Sequence, residues 1–112
     1  MNQDIVNKYK EYMDNAISNY YLKDYNQSFR NLEFAHILGQ RSILYHTKTH
    51  WWMLKIGLKK NDKKEVFGQI FRIIASIVFS RIWVPEGNTG GVDVNPFKKM
   101  EIPEEIRYLY KT

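Results

Sequence analysis

Cysteine is absent from the 112 residues, which excludes disulfides, thiolate metal sites and a cysteine nucleophile. Any metal this chain holds must be bound by nitrogen and oxygen. Glycine (6) and proline (3) are scarce, so collagen-like and low-complexity chains are excluded. No long hydrophobic run is present. The greasiest stretch, 70–84, contains Arg72, Ser76, Ser80 and Arg81, and its uncharged centre, 73–79, falls far short of the roughly 20 residues of a membrane span. Residues 1–8 lack the apolar centre of a secretory signal. The expectation is a soluble, cytoplasmic protein with no membrane partner. No dinucleotide fingerprint and no phosphate loop occurs, and no Ser-His-Asp arrangement can be drawn.

What the chain does have is 44% apolar and 15% aromatic residues, with 17 basic against 12 acidic side chains. That suffices for one modest core and one domain, 1–112. Helical periodicity dominates it. Val6, Tyr9, Met13, Ala16 and Tyr20 recur at three and four in a first helix near 3–20. Tyr25, Phe29, Leu32, His36 and Gly39 repeat the spacing in a second, 24–39, with Gly39 expected to stop it in the left-handed conformation. A third helix, 42–60, starts at the N-cap Ser42 and carries Ile43, His46, His50, Met53 and Gly57 on its seam. Asp62 and Glu65 form a capping-box variant opening a fourth, 62–84. That helix is apolar around so much of its circumference that it is expected at the centre of the packing.

Pro85 and the turn Glu86-Gly87-Asn88-Thr89-Gly90-Gly91 end the helical part. The tail, 85–112, reads as irregular, with Pro103, Glu104 and Glu105 able to start one short helix. Asp24, Phe29 and Leu32 align with Asp62, Phe67 and Ile70 at an offset of 38 residues. The fold class is therefore all-α: a four-helix array of two helical hairpins, tetratricopeptide-like or a plain bundle, with an irregular C-terminal tail.

All three histidines, His36, His46 and His50, fall within 15 residues. His46 and His50, four apart, project from one face of the third helix, a spacing at which two imidazoles can share a metal. The residues between them are Thr47, Lys48 and Thr49, so the glutamate base of a metalloprotease is missing. A short connection makes the second and third helices antiparallel neighbours, which brings His36 within reach. Glu33 precedes His36 by three and shares its face. It is read as a fourth ligand or as a partner fixing an imidazole tautomer. A dinuclear iron centre would need that Glu-x-x-His motif twice. A lone histidine on an apolar seam is ordinarily a hydrogen-bonded core residue; three on adjoining seams beside a carboxylate point to a site for one transition-metal ion. Zinc is the first choice, with nickel, copper(II) and iron(II) also suited to such donors.

Around these residues the chain resembles a family of small bacterial proteins catalogued as domain of unknown function 3703. The matching words are Ala35-His36-Ile37-Leu38-Gly39-Gln40, then His46 with His50-Trp51, Met53-Leu54, Gly68-Gln69 with Arg72, and Gly87-Asn88-Thr89-Gly90. The resemblance implies a compact helical fold and keeps the three histidines together, and it makes Asn88 and Thr89 worth testing. It implies no activity.

The function expected is metal binding with a structural, sensing or metal-handling role, favoured over catalysis. Two alternatives stand beside it. One is a metal-free helical module for a protein partner, the histidines forming a buried polar network. The other is a small metal-dependent hydrolase, for which Glu33 is the one base that can be named. A homodimer is expected from the apolar fourth helix. Lys59, Lys60, Lys63 and Lys64 beside Trp51 and Trp52 raise nucleic acid as a partner, but Asn61 and Asp62 interrupt the run, and a charge of +5 governs solubility more than a defined partner. Because imidazoles protonate near 6.5, metal affinity is expected to fall below about pH 6.

Overall fold

The structure, a computed structural model, describes residues 2–79 and 101–110, the side chains of Ser76 and Phe79 excepted. Four helices follow one another: α1 (Gln3–Tyr21), α2 (Tyr25–Gly39), α3 (Ile43–Lys59) and α4 (Lys63–Phe79). A short α5 (Glu104–Arg107) runs into a single 3-10 turn at Tyr108–Tyr110. The far end of the expected fourth helix, the Gly87–Gly91 turn, Asn88 and Thr89 lie outside the described residues.

Side chains start the helices as the sequence suggests. Asn2 accepts from Asp4 N, Asp24 from Gln27 N and Ser42 from Tyr45 N, each satisfying one of the amides a helix start leaves open. Asp62 accepts from Glu65 N at 3.1 Å. The reciprocal half of that capping box is replaced: Asp62 N–H goes to Gly57 O, and the Glu65 carboxylate accepts from Gln69.

The 38-residue repeat is present bond for bond in the two hairpin turns. Leu22, Lys23 and Asp24 donate their N–H groups to the carbonyls of Ser18, Tyr20 and Asn19. Lys60, Asn61 and Asp62 donate to Ile56, Leu58 and Gly57 in the same pattern. Each turn passes through one left-handed residue, Lys23 at φ 64° and Asn61 at φ 54°. Such turns satisfy the last carbonyls of the helix they close. The left-handed role expected of Gly39 thus belongs elsewhere. Gly39 instead permits close approach: a β-carbon there would lie 2.8 Å from Tyr9 Cε2 and 2.9 Å from Tyr45 Cβ. The Tyr9 and Tyr45 rings stack over it with centroids 4.3 Å apart.

Three-residue connections make successive helices antiparallel. Among the described residues α1 packs on α2, α2 on α3 and α3 on α4, without substantial packing of α1 on α4 to close a bundle. The result is an open array of two hairpins. Its core joins Tyr9, Met13, Ala16 and Tyr20 of α1 to Leu32, Ala35 and Ile37 of α2 and Met53 and Ile56 of α3, with Ile106 of α5 closing one side. The central helix is α2, buried at nearly every position from Asn31 to Gly39. The expectation for α4 is corrected: it lies at the edge of the array, and its large apolar residues face outward. Its inner face instead carries the buried Gln69, hydrogen-bonded to His50 of α3, and the buried Arg72.

Candidate metal centre

The last two turns of α2 and the first two of α3 face each other across the junction of the hairpins, and the three histidines meet there. His36 Nε2 lies 2.9 Å from His46 Nε2 and 3.1 Å from His50 Nε2, and the latter two are 3.1 Å apart. The ring planes cross at 56–74°, so the imidazoles converge by their nitrogen tips and do not stack by their faces. His36 and His50 are buried and His46 is half-buried. Four residues apart on α3 and facing the end of α2, they are brought together as their spacing predicts. Among the described residues they form the one group of three with ligand atoms within 4.8 Å of one another.

Glu33 lies outside that triangle. It sits one turn before His36 on α2, with its carboxylate 3.8 Å from Arg30 Nη1.

The partner of the site that residue-by-residue reading overlooked is on α4. Gln69, fully buried, places Oε1 2.6 Å from His50 Nδ1, and its Nε2 donates to Glu65 Oε2 at 2.7 Å. A carboxylate only accepts, so the Gln69 amide must turn its NH2 toward Glu65 and its oxygen toward His50. His50 Nδ1 then carries the proton, and Nε2 presents a lone pair to the other two rings. Glu65, Gln69 and Arg72 fall at i, i+4 and i+7, a polar stripe along a helix that is mostly apolar beyond its first turn. That stripe was the available signal.

Burial sets the protonation of the cluster. It pushes His46 down to about 4, helped by the positive charge of Arg72. It pushes His50 down to about 3, with the charges of His46 and Arg72 acting the same way and the Gln69 hydrogen bond opposing them. Arg72 is itself buried and held below its ordinary value by desolvation, with Glu65 pulling the other way. At neutral pH His46 and His50 are therefore uncharged, the form that ligates metals.

The lysines of the α3–α4 turn, Lys59, Lys60, Lys63 and Lys64, are all exposed. Trp52 is engaged within the fold, edge-on to Tyr20 with Lys55 Nζ 4.0 Å over its ring. Among the described residues, no helix is long and apolar enough to cross a membrane.

The sequence model of a family described as protein of unknown function (DUF3703) matches residues 3–110, a span that takes in the three histidines, Glu65, Gln69 and Arg72. No curated protein and no solved structure matches the chain.

Proposed function

Since the chain belongs to the DUF3703 family, which carries no assigned activity, we propose from the site alone that it binds one divalent transition-metal ion through the Nε2 atoms of His36, His46 and His50. The observation that carries this reading is the triangle of nitrogens with edges of 2.9, 3.1 and 3.1 Å. Each Nε2 offers one in-plane position, either a proton or a lone pair. With one proton among the three, two edges share it and the third sets lone pair against lone pair. With two protons, one edge sets proton against proton. No assignment satisfies all three edges, whereas a cation at the apex accepts three lone pairs at once.

The size of the triangle suits such an ion. With edges of 2.9, 3.1 and 3.1 Å, the three nitrogens lie close enough together that one ion could reach all of them at the roughly 2.0–2.1 Å of a zinc–imidazole bond. Zinc is the first choice, and nickel, copper(II) and iron(II) accept the same donors. The His50–Gln69–Glu65 chain supplies the outer hydrogen bonds that ordinarily orient a ligating imidazole. Glu33 is given no bond to the metal here; its helix position and its contact with Arg30 suit an outer role.

The role favoured is structural. One ligand comes from the first hairpin and two from the second, so an ion would tie the hairpins together, with α4 joined through Gln69. Metal sensing and metal handling share the same ligand set. Catalysis would need an open coordination position and a base beside it.

Elemental analysis of untagged protein purified without chelator, beside a His46→Ala/His50→Ala variant, tests the reading. About one equivalent of metal in the wild type, lost in the variant, is expected. Wild-type protein that refuses added zinc, nickel and copper would overturn it, and the histidines would then be core residues of a metal-free interaction module.

A further inference from the structure

We propose that the outward face of α4 is the contact surface of a homodimer, in which two copies of this chain pair α4 against α4. The inference goes beyond the metal site and rests on the opposite side of the helix. For a helix at the edge of a fold, α4 is inverted. Its buried positions include Gln69 and Arg72, while Phe67, Ile70, Phe71, Ile74, Ile77 and Val78 are 42–70% exposed. Positions 67, 70, 74 and 77 alternate three and four, the spacing of a two-helix seam, with 71 and 78 beside it.

The repeat says what this face is for. Ile70 is the counterpart of Leu32 at the 38-residue offset. Leu32 is wholly buried because α2 lies between α1 and α3; Ile70 remains 42% exposed because α3 is the helix on which α4 packs. In stacked hairpins the outermost helix is either polar on its outer side or covered by the next unit. The outer side of α4 is not polar.

The occupant follows by complementarity. A second copy stacked head to tail would offer α1, whose exposed side carries Asn7, Lys10, Glu11, Asp14 and Ser18, with Tyr21 as its one large apolar residue, at the end of the helix. Among the described residues the exposed apolar side chains also include Leu44, Trp51 and Leu58 on α3, a sparser row one residue wide, so the fullest apolar match is another α4, which gives a closed two-fold pair and no growing filament. At roughly 150–200 Å² of surface per large apolar residue, the six side chains expose about 600 Å², so a pair would bury about 1,200 Å², the lower end of specific interfaces.

The test is the mass in solution, measured by light scattering and sedimentation from micromolar to near-millimolar protein, with chelator and again with zinc. Wild type is expected at twice the 13.5 kDa of one chain. A Phe71→Glu/Ile74→Glu variant is expected as a monomer of unchanged helix content and metal stoichiometry, with dimer dissociation raised about 100-fold or more. Because the chain has no cysteine, Ile74→Cys provides a second readout. Its single thiol should form a covalent dimer on mild oxidation, while Ser18→Cys on α1 should not. A monomeric wild type at every concentration, a dimer indifferent to the glutamates, or an Ile74→Cys thiol shielded from alkylation in a monomer would each overturn the proposal. The last result would mean that the chain covers this face itself. None of these outcomes depends on metal, so they separate failure of the interface from failure of the metal site.

Discussion

Gln69 Oε1 accepts the Nδ1 proton of His50 across 2.6 Å, and that contact decides which nitrogen of His50 faces the other two histidines. Gln69→Ala removes the acceptor and leaves His50 free to change tautomer. Metal affinity is expected to fall about 10–100-fold with the stoichiometry kept at one, read by competition with a coloured chelator. Long-range nitrogen NMR on metal-free protein should show a single Nδ1–H tautomer for His50 in the wild type. A mixture there would remove the assigned role of Gln69 whatever the metal result.

Lowering the pH should destabilise the metal-free protein from about 6.5 downward. In the unfolded chain both His46 and His50 take up protons near 6.5; in the fold they do so at about 4 and about 3. Between those values the unfolded state binds more protons, so stability is fully present above 6.5 and is lost as pH falls through the folded values. The slope is about 1.4 kcal/mol per pH unit for each histidine. Urea unfolding in chelator at a series of pH values measures it, and His46→Gln should make the slope shallower. The same burial moves proton competition with the metal below the pH 6 that an ordinary imidazole would give. A slope that His46→Gln leaves unchanged would contradict this account.

Gly39→Ala is expected to cost about 1–3 kcal/mol, the usual range for overpacking a well-filled core. The added methyl would meet the Tyr9 ring and the Tyr45 β-carbon; Tyr9 is only 2% exposed and a β-carbon moves only with its backbone, so neither yields cheaply. Tyr9 also donates its hydroxyl to Tyr45 O at 3.1 Å, and burial pushes its pKa up to about 12. Denaturant unfolding measures the cost. A variant as stable as the wild type would mean that the Tyr9–Tyr45 stack shifts freely.

Asp24→Ala and Asp62→Ala should each cost about 1 kcal/mol, and nearly the same amount as each other. Both carboxylates accept from the amide three residues on, at 3.2 and 3.1 Å, after turns with identical backbone bonds. Chevron analysis of the two variants checks the equivalence. A large difference between them would show that the repeat is one of shape and not of energy.

Four helices and their starts were legible because capping chemistry is local: Ser42, Asp24 and Asp62 act on amides within three residues of themselves. The histidines were legible too, since i, i+4 spacing and one short connection suffice to converge them. Three features were not. The position of α4 was misjudged because apolar residues were counted without asking which side of the helix Glu65, Gln69 and Arg72 occupy. Gly39 was misjudged because the need for its missing β-carbon comes from Tyr9, thirty residues away in α1, and no local pattern reveals it. The Gln69 contact with His50 likewise depends on how α4 docks.

The turns at Lys23 and Asn61 are closed by bonds between residues no more than five apart. Contacts of such short range form early in folding, so each hairpin can assemble before it meets the other. The histidine triangle is different, because His36 belongs to one hairpin and His46 and His50 to the other. It comes into being only when the hairpins dock, which makes it a reporter of the final step of assembly. An ion that requires all three nitrogens would therefore slow the chain's unfolding more than it hastens its folding.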